Sequence, residues 1–512
     1  MKTSSDLFEL IKSLSKSEKR YFKLFSSIHK GEKNYLKLFD SIDRQQEYYN
    51  EAIIRKEFSR EKFIKHLPKE KNYLYQLILK SSESYHSNID MEMKSNLNHI
   101  QFLFEKGLYK QCEKIIAKAK QLARKYEKHL PLLEVLNWEL VLWGLQTFEG
   151  KKEKDIEKLF REMFDIKDTW KNAKEYQLLR SRIAINSFSE GQIREDAQLV
   201  AYKKIMNHRL LKVENKALSY LAKISFYNCK SSYFSIRGDF INTHSYAQKL
   251  VTLMEAHPHQ IQENPQSYIN ALYNLIICQD DIKKYKEALL SIHKLKAINT
   301  QSENLKSQLF YLANTTELSI YANTGEFDKG LDLITQIADE ISSKSDIKFL
   351  NRNLQLYYYI VIIYFSTRNY TAANIYLNKI LNQKITDIRN DIQCFARILS
   401  LIVHYELGHD DLLEYIEKSA HRFLDKKNSL YKVETSILDF MRNKVPKIIT
   451  PHDKIKAFKK LKIDMEQITK DPFEKKALEY FDFISWLESK IENKSFAEIV
   501  REKARQTLPA AN

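Results

Sequence analysis

Apolar and polar residues follow one recurring arrangement along this chain. A stretch with helical periodicity is followed by glycine, any residue and an aromatic residue, and a second helical stretch then begins. The arrangement is clearest in KGLYKQCEKII (106–116), RGDFINTHSYA (237–247) and TGEFDKGLDLI (324–334). Two segments keep it with a substituted glycine, KKYKEALLSIH (283–293) and RNYTAANIYLN (368–378), and three copies are weaker, EGKKEKDIEKL (149–159), EGQIREDAQLV (190–200) and LGHDDLLEYIE (407–417).

The glycine-equivalent positions define a regular period along the chain. They are Gly107, Gly150, Gly191, Gly238, Lys283, Gly325, Arg368 and Gly408. Successive positions are separated by about 43 residues, which is the spacing of a helical repeat. Six of the nine glycines of the chain fall on this register, so chance is a poor explanation. Continuing the period reaches Pro451, where a helix start is expected, and then Lys494, which opens KSFAEIV.

Each part of the repeat has a local physical reason. Glycine ends the first helix because it adopts a positive φ without a Cβ clash. The aromatic residue two positions later can wedge between the paired helices, as at Tyr109, Phe240, Tyr285, Phe327 and Tyr370. A small residue three positions further on lets the helices approach, as at Cys112, Ala288, Gly330 and Ala373. Apolar residues of the second helix then face a neighbour, namely Ile116, Leu159, Val200, Ile292, Ile334 and Leu377.

The pattern Gly-x-Tyr-x-x-Ala followed by an apolar residue resembles the turn between helix A and helix B of the tetratricopeptide repeat. Tyr321 and Tyr364 fit the tyrosine of the first-helix signature, although most of that signature is missing. Repeats of that family are shorter, at about 34 residues, so the helices here are longer. The resemblance implies an all-α protein, a right-handed superhelical solenoid of about ten helix-turn-helix repeats over residues 93–508. The whole chain also resembles a family of helical-repeat proteins from Bacteroidota, which brings no known activity with it.

Residues 1–92 lie outside the register and are predicted to form an N-terminal helical cap or adaptor. Ser15 and Glu18 form a capping box, so a helix should start near Lys16. On a helical wheel a basic stripe of Lys16, Lys19, Arg20 and Lys23 lies opposite an apolar side of Tyr21, Leu24, Phe25 and Ile28. Two interpretations stay open: a solvated face over a packed helix, or a helix that contacts the phosphates of a polyanion.

A solenoid exposes a concave face lined by the first helix of each pair, and such faces bind extended peptides or partner helices. If tetratricopeptide geometry carries over, polar groove positions are Asn228, Asn270, Tyr273, Asp280, Gln355 and Tyr358. The leading hypothesis is therefore an intracellular protein–protein interaction scaffold whose groove binds a peptide or partner helix. The alternative is a nucleic-acid-associated regulator that uses the basic N-terminal helix, with an affinity that depends on salt.

Composition supports a helical, non-secreted protein. Glycine (9) and proline (8) are scarce in a chain of this length, too few for the many tight turns of strand-rich folds. The four cysteines lack metal-knuckle spacing and are interpreted as buried thiols in a reducing cytosol. The longest apolar run, Tyr357 to Phe365, is too short to span a membrane. The net charge of +17 is spread thinly along the chain, so a cytoplasmic location without a membrane partner is expected.

No motif for chemistry stands out. The phosphate-loop, dinucleotide, zinc-protease and nucleophile-elbow patterns are all missing from the sequence. The pairs Glu83/His86 and Glu406/His409 are expected by chance in a chain with this many acidic residues, and Gly408 should end the helix between the second pair. The imidazoles of His257-Pro258-His259 are assigned to a surface loop. We therefore expect no enzyme activity, no catalytic residues, no cofactor and no metal.

Overall fold

The computed structural model of the protein describes residues 3–27, 34–45, 48–85, 88–190, 196–300, 302–343, 350–383, 390–427, 429–471 and 473–507. Every regular element within these ranges is a helix. The chain divides into two compact units, Met1–Tyr233 with Leu253–Pro265, and Phe234–Thr252 with Gln266–Asn512. The helices pack mostly against their neighbours in sequence, as they do in an α-solenoid.

The first five helices share a hydrophobic core of their own, which runs from Leu7 to Ile78. They are α1 (Thr3–Ser13), α2 (Lys16–Ser27), α3 (Asn34–Arg44), α4 (Glu51–Glu57) and α5 (Leu67–Tyr85), with a 3-10 helix at Lys62–His66. The predicted capping box starts α2: the Glu18 amide donates to Ser15 Oγ at 3.2 Å, and the Ser15 amide donates to Glu18 Oε2 at 2.6 Å. That residues 1–92 act as a cap remains a prediction.

The rest of the first unit begins with helices that each pack against the next helix in sequence. The helices are α6 (Ile89–Glu105), α7 (Tyr109–Lys125), α8 (His129–Leu145), α9 (Glu153–Glu190), α10 (Asp196–Met206) and α11 (Tyr220–Ile236), with 3-10 helices at Arg209–Leu211 and Glu214–Lys216. Helices α6 to α9 pack successively around a core that includes Cys112, Ile116, Val135 and Leu159. Helix α9 has 38 residues and continues through the region where the predicted repeat would turn.

The second half of the chain is a run of helix pairs. The helices are α12 (Phe240–Glu255), α13 (Pro258–Glu263), α14 (Pro265–Asp281), α15 (Tyr285–Lys296), α16 (Glu303–Thr324), α17 (Phe327–Ser343), α18 (Leu350–Ser366), α19 (Tyr370–Leu381), α20 (Asn390–Glu406), α21 (Asp410–Lys426), α22 (Lys432–Asn443), α23 (Pro451–Ile468), α24 (Phe483–Glu492) and α25 (Phe496–Thr507). Two 3-10 helices lie at Val445–Lys447 and Glu474–Glu479. Residues Tyr311 to Val500 contribute to one large hydrophobic core.

The positive φ of the predicted turn register is confirmed at each glycine-equivalent position from Gly107 to Gly408 that the structure describes, but Gly150 does not end its helix, because α8 ends at Leu145 and Thr147 already has a positive φ. Positive φ values occur at Gly107 (71°), Gly150 (71°), Gly238 (71°), Lys283 (59°), Gly325 (74°), Arg368 (60°) and Gly408 (70°). Lys283 and Arg368 hold the left-handed conformation despite their side chains, so the backbone geometry is kept where glycine is replaced. Gly191 lies outside the described residues. Pro451 opens α23 behind a capping box of Thr450 and Asp453, whereas the left-handed residue near Lys494 is Asn493.

Most packing positions of the repeat are also confirmed. The small residues Cys112, Ala288, Gly330 and Ala373 are all buried. A Cβ added to Gly330 would lie 2.7 Å from Ile363 Cδ1, which shows how closely α17 and α18 approach. Two expectations were wrong: Val200 is 62% exposed and Phe240 is 43% exposed, so neither lies between packed helices.

The C-terminal helices depart from neighbour-only packing. Within the second unit, α25 contacts α16 and the turn that follows it, far earlier in the chain. Arg501 donates through Nε to the Gly325 carbonyl at 2.9 Å and through Nη2 to Asp328 Oδ2 at 2.8 Å. The chain therefore turns back after α23 and covers helices that it has already formed.

This return makes the turn at Gly325 sensitive to substitution. A Cβ there would lie 2.7 Å from Arg501 Cγ and 3.3 Å from Arg501 Cα, whereas a Cβ at Gly408 would meet nothing within 4 Å. Both residues have the same left-handed backbone, so both alanine variants should lose about 1–2 kcal/mol of unfolding free energy. We expect Gly325→Ala to lose about 1–3 kcal/mol more, because α25 must also move. Urea unfolding of both variants measures the difference, and equal losses would contradict the packing described.

Candidate functional site

The six predicted groove residues lie on the helices that were expected to carry them. Asn228 is on α11 in the first unit, and its Nδ2 donates to the Ile224 carbonyl at 2.9 Å. The others are in the second unit: Asn270, Tyr273 and Asp280 on α14, and Gln355 and Tyr358 on α18. Asn270 is exposed and accepts from Gln266 Nε2 at 2.9 Å, whereas Tyr273 and Gln355 are half-buried. Their role in binding a partner remains a prediction.

Two of the six residues, Asp280 and Tyr358, are hydrogen-bonded or buried by other parts of the second unit. Asp280 accepts hydrogen bonds from Asn323 Nδ2 at 3.1 Å and from Ser319 Oγ at 3.3 Å, and burial raises its pKa. Tyr358 is only 3% exposed, and burial raises its pKa well above the ordinary value. Tyr358 is therefore not available on the surface as the protein stands.

The chain itself covers this region, through what we name the return segment, residues 473–507. Different residues of the segment contact four earlier elements: Glu474 contacts α22, Tyr480 and Trp486 contact α20, Phe481 contacts α18, and Arg501 contacts the turn that follows α16. These are the first helices of their pairs, which the tetratricopeptide resemblance places on the inner face. We name the contacted surface of α16, α18, α20 and α22 the first-helix face.

The first contact of the return segment is a helix cap. The Glu474 carboxylate accepts the backbone N–H groups of Lys432 and Val433, each at 3.2 Å, at the start of α22. The first amides of a helix have no acceptor inside their own helix, so a carboxylate from elsewhere both satisfies them and complements the helix dipole. Phe473 packs edge-on against Tyr431, with ring centroids 4.9 Å apart.

The second contact combines a hydrogen bond with ring stacking on α20. Tyr480 donates its hydroxyl to Asp391 Oδ2 at 2.7 Å. Its ring stacks on Phe395, with centroids 4.1 Å apart and planes only 8° from parallel. Asp391 and Phe395 are four residues apart on one helix and so lie on the same face. One tyrosine thus contacts two adjacent side chains of α20.

The third contact is apolar and fully buried. Phe481 packs against Phe365 of α18 at 5.1 Å and stacks on Phe496 at 5.3 Å. Trp486 is 1% exposed, and its Nε1 donates to Glu406 Oε1 at 2.7 Å. These aromatic residues belong to the main core of the second unit, so this part of the return segment is a structural anchor.

Sequence reasoning missed Phe395, Asp391 and the contacts that the return segment makes with earlier helices. Phe395 stands thirteen residues before the left-handed residue Gly408, as Asn270 and Gln355 stand thirteen residues before Lys283 and Arg368. The repeat register therefore indicates Phe395, but its ring lacks the hydrogen-bonding groups that mark the other groove positions. Nothing local in the sequence marks Glu474 or Tyr480 as partners of helices far away.

The predicted polyanion residues on α2 are partly neutralised. Lys19 pairs with Asp43 at 2.6 Å and Lys23 pairs with Asp40 at 2.7 Å, both on α3, while Lys16 and Arg20 are exposed. The wheel assignment was wrong in detail: Phe22 is buried at 1% and Leu24 is 65% exposed. The basic stripe therefore borders the buried face instead of lying opposite to it. Ile28 lies outside the described residues.

The cysteine, histidine and glutamate residues that the sequence offered as reactive or metal-binding candidates are buried or contact other side chains. All four cysteines are buried free thiols, and burial raises the pKa of Cys229 and Cys278 to about 12. His409 Nδ1 lies 3.0 Å from His404 Nδ1, and Glu406 accepts from Trp486 and from Lys490. His86 lies outside the described residues. Among those described, no group of three or more His, Cys, Asp or Glu side chains could hold a metal ion.

The assignment of His257-Pro258-His259 to a loop was wrong. Pro258 opens the short helix α13, which belongs to the first unit. His257 Nδ1 lies 2.8 Å from the Leu253 carbonyl oxygen, and His259 Nε2 lies 3.1 Å from that of Lys125, the last residue of α7. Each imidazole thus lies within hydrogen-bond distance of a carbonyl oxygen in the last turn of a helix, where such carbonyls lack a partner in their own helix.

No family model matches the chain, and no curated protein matches it. Over the residues that the structure covers, no helix combines the length and the apolar character needed to cross a membrane.

A second carboxyl group lies beside the Glu474 cap. Glu434, in the first turn of α22, is 5% exposed, and its Oε2 has no hydrogen-bond partner within the described part of the chain. Burial, followed by the nearby Glu474 carboxylate, raises the pKa of Glu434 to about 7. In the unfolded chain this carboxyl ionises near its ordinary value of 4.5.

The raised pKa of Glu434 predicts a pH-dependent stability. Between about pH 4.5 and 7 the unfolded chain releases this proton while the folded chain keeps it, so stability falls as pH rises and the loss is complete above pH 7. We expect Glu434→Gln to raise the free energy of unfolding by roughly 1–3 kcal/mol at pH 8 and to change it little at pH 4.5. Denaturant unfolding at both pH values tests this, with Glu466→Gln as the exposed control. An equal gain at both values would contradict it.

Proposed function

We propose that the protein is a protein–protein interaction scaffold without enzyme activity, and that its first-helix face binds a peptide or a partner helix. We further propose that the helix pairs belong to a right-handed, tetratricopeptide-like solenoid of about ten repeats, and that the protein works in the cytoplasm. The turn register supports the solenoid, since left-handed residues recur along the chain with the predicted period.

One observation carries the binding proposal: the first-helix face already holds a peptide segment of its own chain. Residues Phe473–Tyr480 are held by the amides that begin α22, by the Asp391 carboxylate and by the Phe395 ring. A helix cap, a carboxylate acceptor and an aromatic platform are the groups by which protein surfaces recognise short peptides. A partner with an acidic residue followed by a tyrosine could use the same groups.

The free energies of its contacts decide which part of the return segment a partner can displace. Phe481, Phe483 and Trp486 are at most 3% exposed, and burying each contributes about 1.5–3 kcal/mol, so a partner cannot readily displace them together. Residues 473–480 are held by one helix cap, at about 0.5–2 kcal/mol, by one stacked, hydrogen-bonded tyrosine of similar worth, by the ring contact of Phe473 with Tyr431, and by the small buried side chain of Ala477. A partner present at about 100 times its dissociation constant contributes about 2.7 kcal/mol to the bound state, which is comparable with the sum of these contacts.

The alternative function, a nucleic-acid-associated regulator, has less support. Its four basic residues on α2 include two that are already paired with aspartates of α3. Releasing Lys19 and Lys23 to phosphates would forfeit these ion pairs, and two exposed cations alone give only weak electrostatic binding. We therefore do not assign this role to α2.

The proposal is tested with the peptide FEKKALEY, which corresponds to residues 473–480, carrying a fluorescent label. The full-length variant with Glu474→Ala and Tyr480→Ala keeps its core anchor but loses the two contacts that hold its own segment. We expect this variant to bind the labelled peptide at least about tenfold more tightly than the unmodified protein, by fluorescence anisotropy. Adding Phe395→Ala should abolish that gain.

The control variant is Lys475→Ala, an exposed residue of the same segment, which should leave binding unchanged. Circular dichroism of each variant verifies that it is folded. If the double variant binds no better than the unmodified protein, or if Phe395→Ala leaves the gain intact, the first-helix face is not the peptide site.

A further inference from the structure

The long helix α9 of the first unit presents an exposed stripe along its outer side. Starting at Phe160, positions separated alternately by four and three residues lie along one side of the helix, and all are exposed. They are Phe160, Phe164, Lys167, Lys171, Lys174, Leu178, Ser181 and Ile185. We name these eight residues the α9 seam. From its first to its last residue the seam follows about 37 Å of helix.

The opposite side of α9 faces the core of the first unit. Leu159, Tyr176, Leu179 and Ile183 are each at most 4% exposed. An ordinary surface helix buries one side and carries polar residues on the other. Here the outer side carries Phe164 at 58%, Leu178 at 54% and Ile185 at 64% exposure. The core of this unit therefore does not bury the apolar residues of the α9 seam.

The spacing of the α9 seam identifies the shape of what would cover it. The exposed apolar residues Phe160, Phe164, Leu178 and Ile185 all stand at a or d positions of one heptad pattern, which is how apolar residues are placed on a helix that packs along another helix. The apolar residues stand at the two ends of the seam, and three consecutive seam positions in the middle are lysines, Lys167, Lys171 and Lys174.

The charges of the seam identify the chemistry of the partner. Three adjacent lysines at a and d positions repel a second copy of the same helix and favour carboxylates opposite to them. Lys167 also lies 3.3 Å from Asp168 of its own helix, but both side chains are more than half exposed, so this pair contributes little and leaves the lysine able to meet a partner. Along one border of the seam stand Arg161, Asp168, Glu175 and Arg182, and along the other stand Met163, Trp170, Gln177 and Ala184. The carboxylates of Asp168 and Glu175 beside the lysines disfavour a polyphosphate chain, which would pass close to them.

We propose that the α9 seam is a docking surface for an amphipathic partner helix that is acidic at its centre and apolar at its ends. Three successive a and d positions of the partner carry glutamate or aspartate against Lys167, Lys171 and Lys174. Its terminal a and d positions are apolar and cover Phe160 and Phe164 at one end and Leu178 and Ile185 at the other. This site lies in the first unit and does not depend on the first-helix face.

A pair of synthetic helices tests the docking surface on the full-length protein. Both are four heptads long with leucine at a and d, except at three central positions that carry glutamate in one peptide and lysine in the other. Each is labelled and used below the concentration at which it self-associates. We expect the unmodified protein to bind the glutamate peptide at least about tenfold more tightly than the lysine peptide at low ionic strength. The variant Lys167→Glu, Lys171→Glu, Lys174→Glu should reverse this preference.

The matched control reverses three exposed lysines on another helix, Lys456→Glu, Lys459→Glu and Lys460→Glu on α23, and should keep the original preference. The inference is overturned if neither peptide is preferred, or if reversing the seam lysines leaves the preference unchanged. It is also overturned if a single-stranded oligonucleotide displaces the glutamate peptide and loses its binding in the seam variant. A dimer in sedimentation velocity that the seam variant abolishes would overturn it too, by assigning the seam to a second copy.

Discussion

A residue with a positive φ stands in the turn between the two helices of a pair, and this backbone conformation is the constraint on which the other features of the chain depend. A residue with a positive φ ends one helix and redirects the chain within a few positions, so the second helix starts antiparallel to the first. L-residues resist this conformation by about 1–2 kcal/mol, yet Lys283 and Arg368 adopt it. The turn geometry is thus kept even where the residue best suited to it is absent. Small residues also let one pair approach the next, as Gly330 of α17 does against Ile363 of α18.

These turns also determine which helices of the second unit lie side by side. Helices α16, α18, α20 and α22 are the first helices of their pairs, and the elements α22, α20, α18 and the turn after α16 are all contacted by the return segment. Polar contacts hold its beginning, and aromatic burial holds the part that follows. The segment therefore divides into a lightly held portion, Phe473–Tyr480, and an anchor in the core. This division is the reason why we propose that a partner replaces the first portion without unfolding the unit.

The features that the sequence predicted well are those with a local cause. The turn positions follow from a backbone conformation that few residues adopt, and the capping box at Ser15 and Glu18 follows from helix-end amides. The return of α25 to Gly325 could not be predicted, because it joins distant parts of the chain and has no periodic signal. The wheel for α2 failed for a related reason: Phe22 is buried by helices folded against it, not by the average direction of its own apolar residues. Helix α9 departs from the pattern of helix pairs because it runs unbroken over 38 residues between the Gly150 and Gly191 positions, where two helices were expected.

Hydrogen–deuterium exchange of the intact protein tests most directly whether the first-helix face can be vacated. If residues 473–480 are lightly held, their amides should exchange at least about tenfold faster than those of α24, through an opening that leaves the core intact. The Glu474→Ala variant should accelerate exchange in residues 473–480 and leave that of α24 unchanged. If both regions instead exchange at one common rate in the unmodified protein and in the variant, the segment opens only when the whole unit unfolds. That result would contradict a peptide-binding role for the first-helix face.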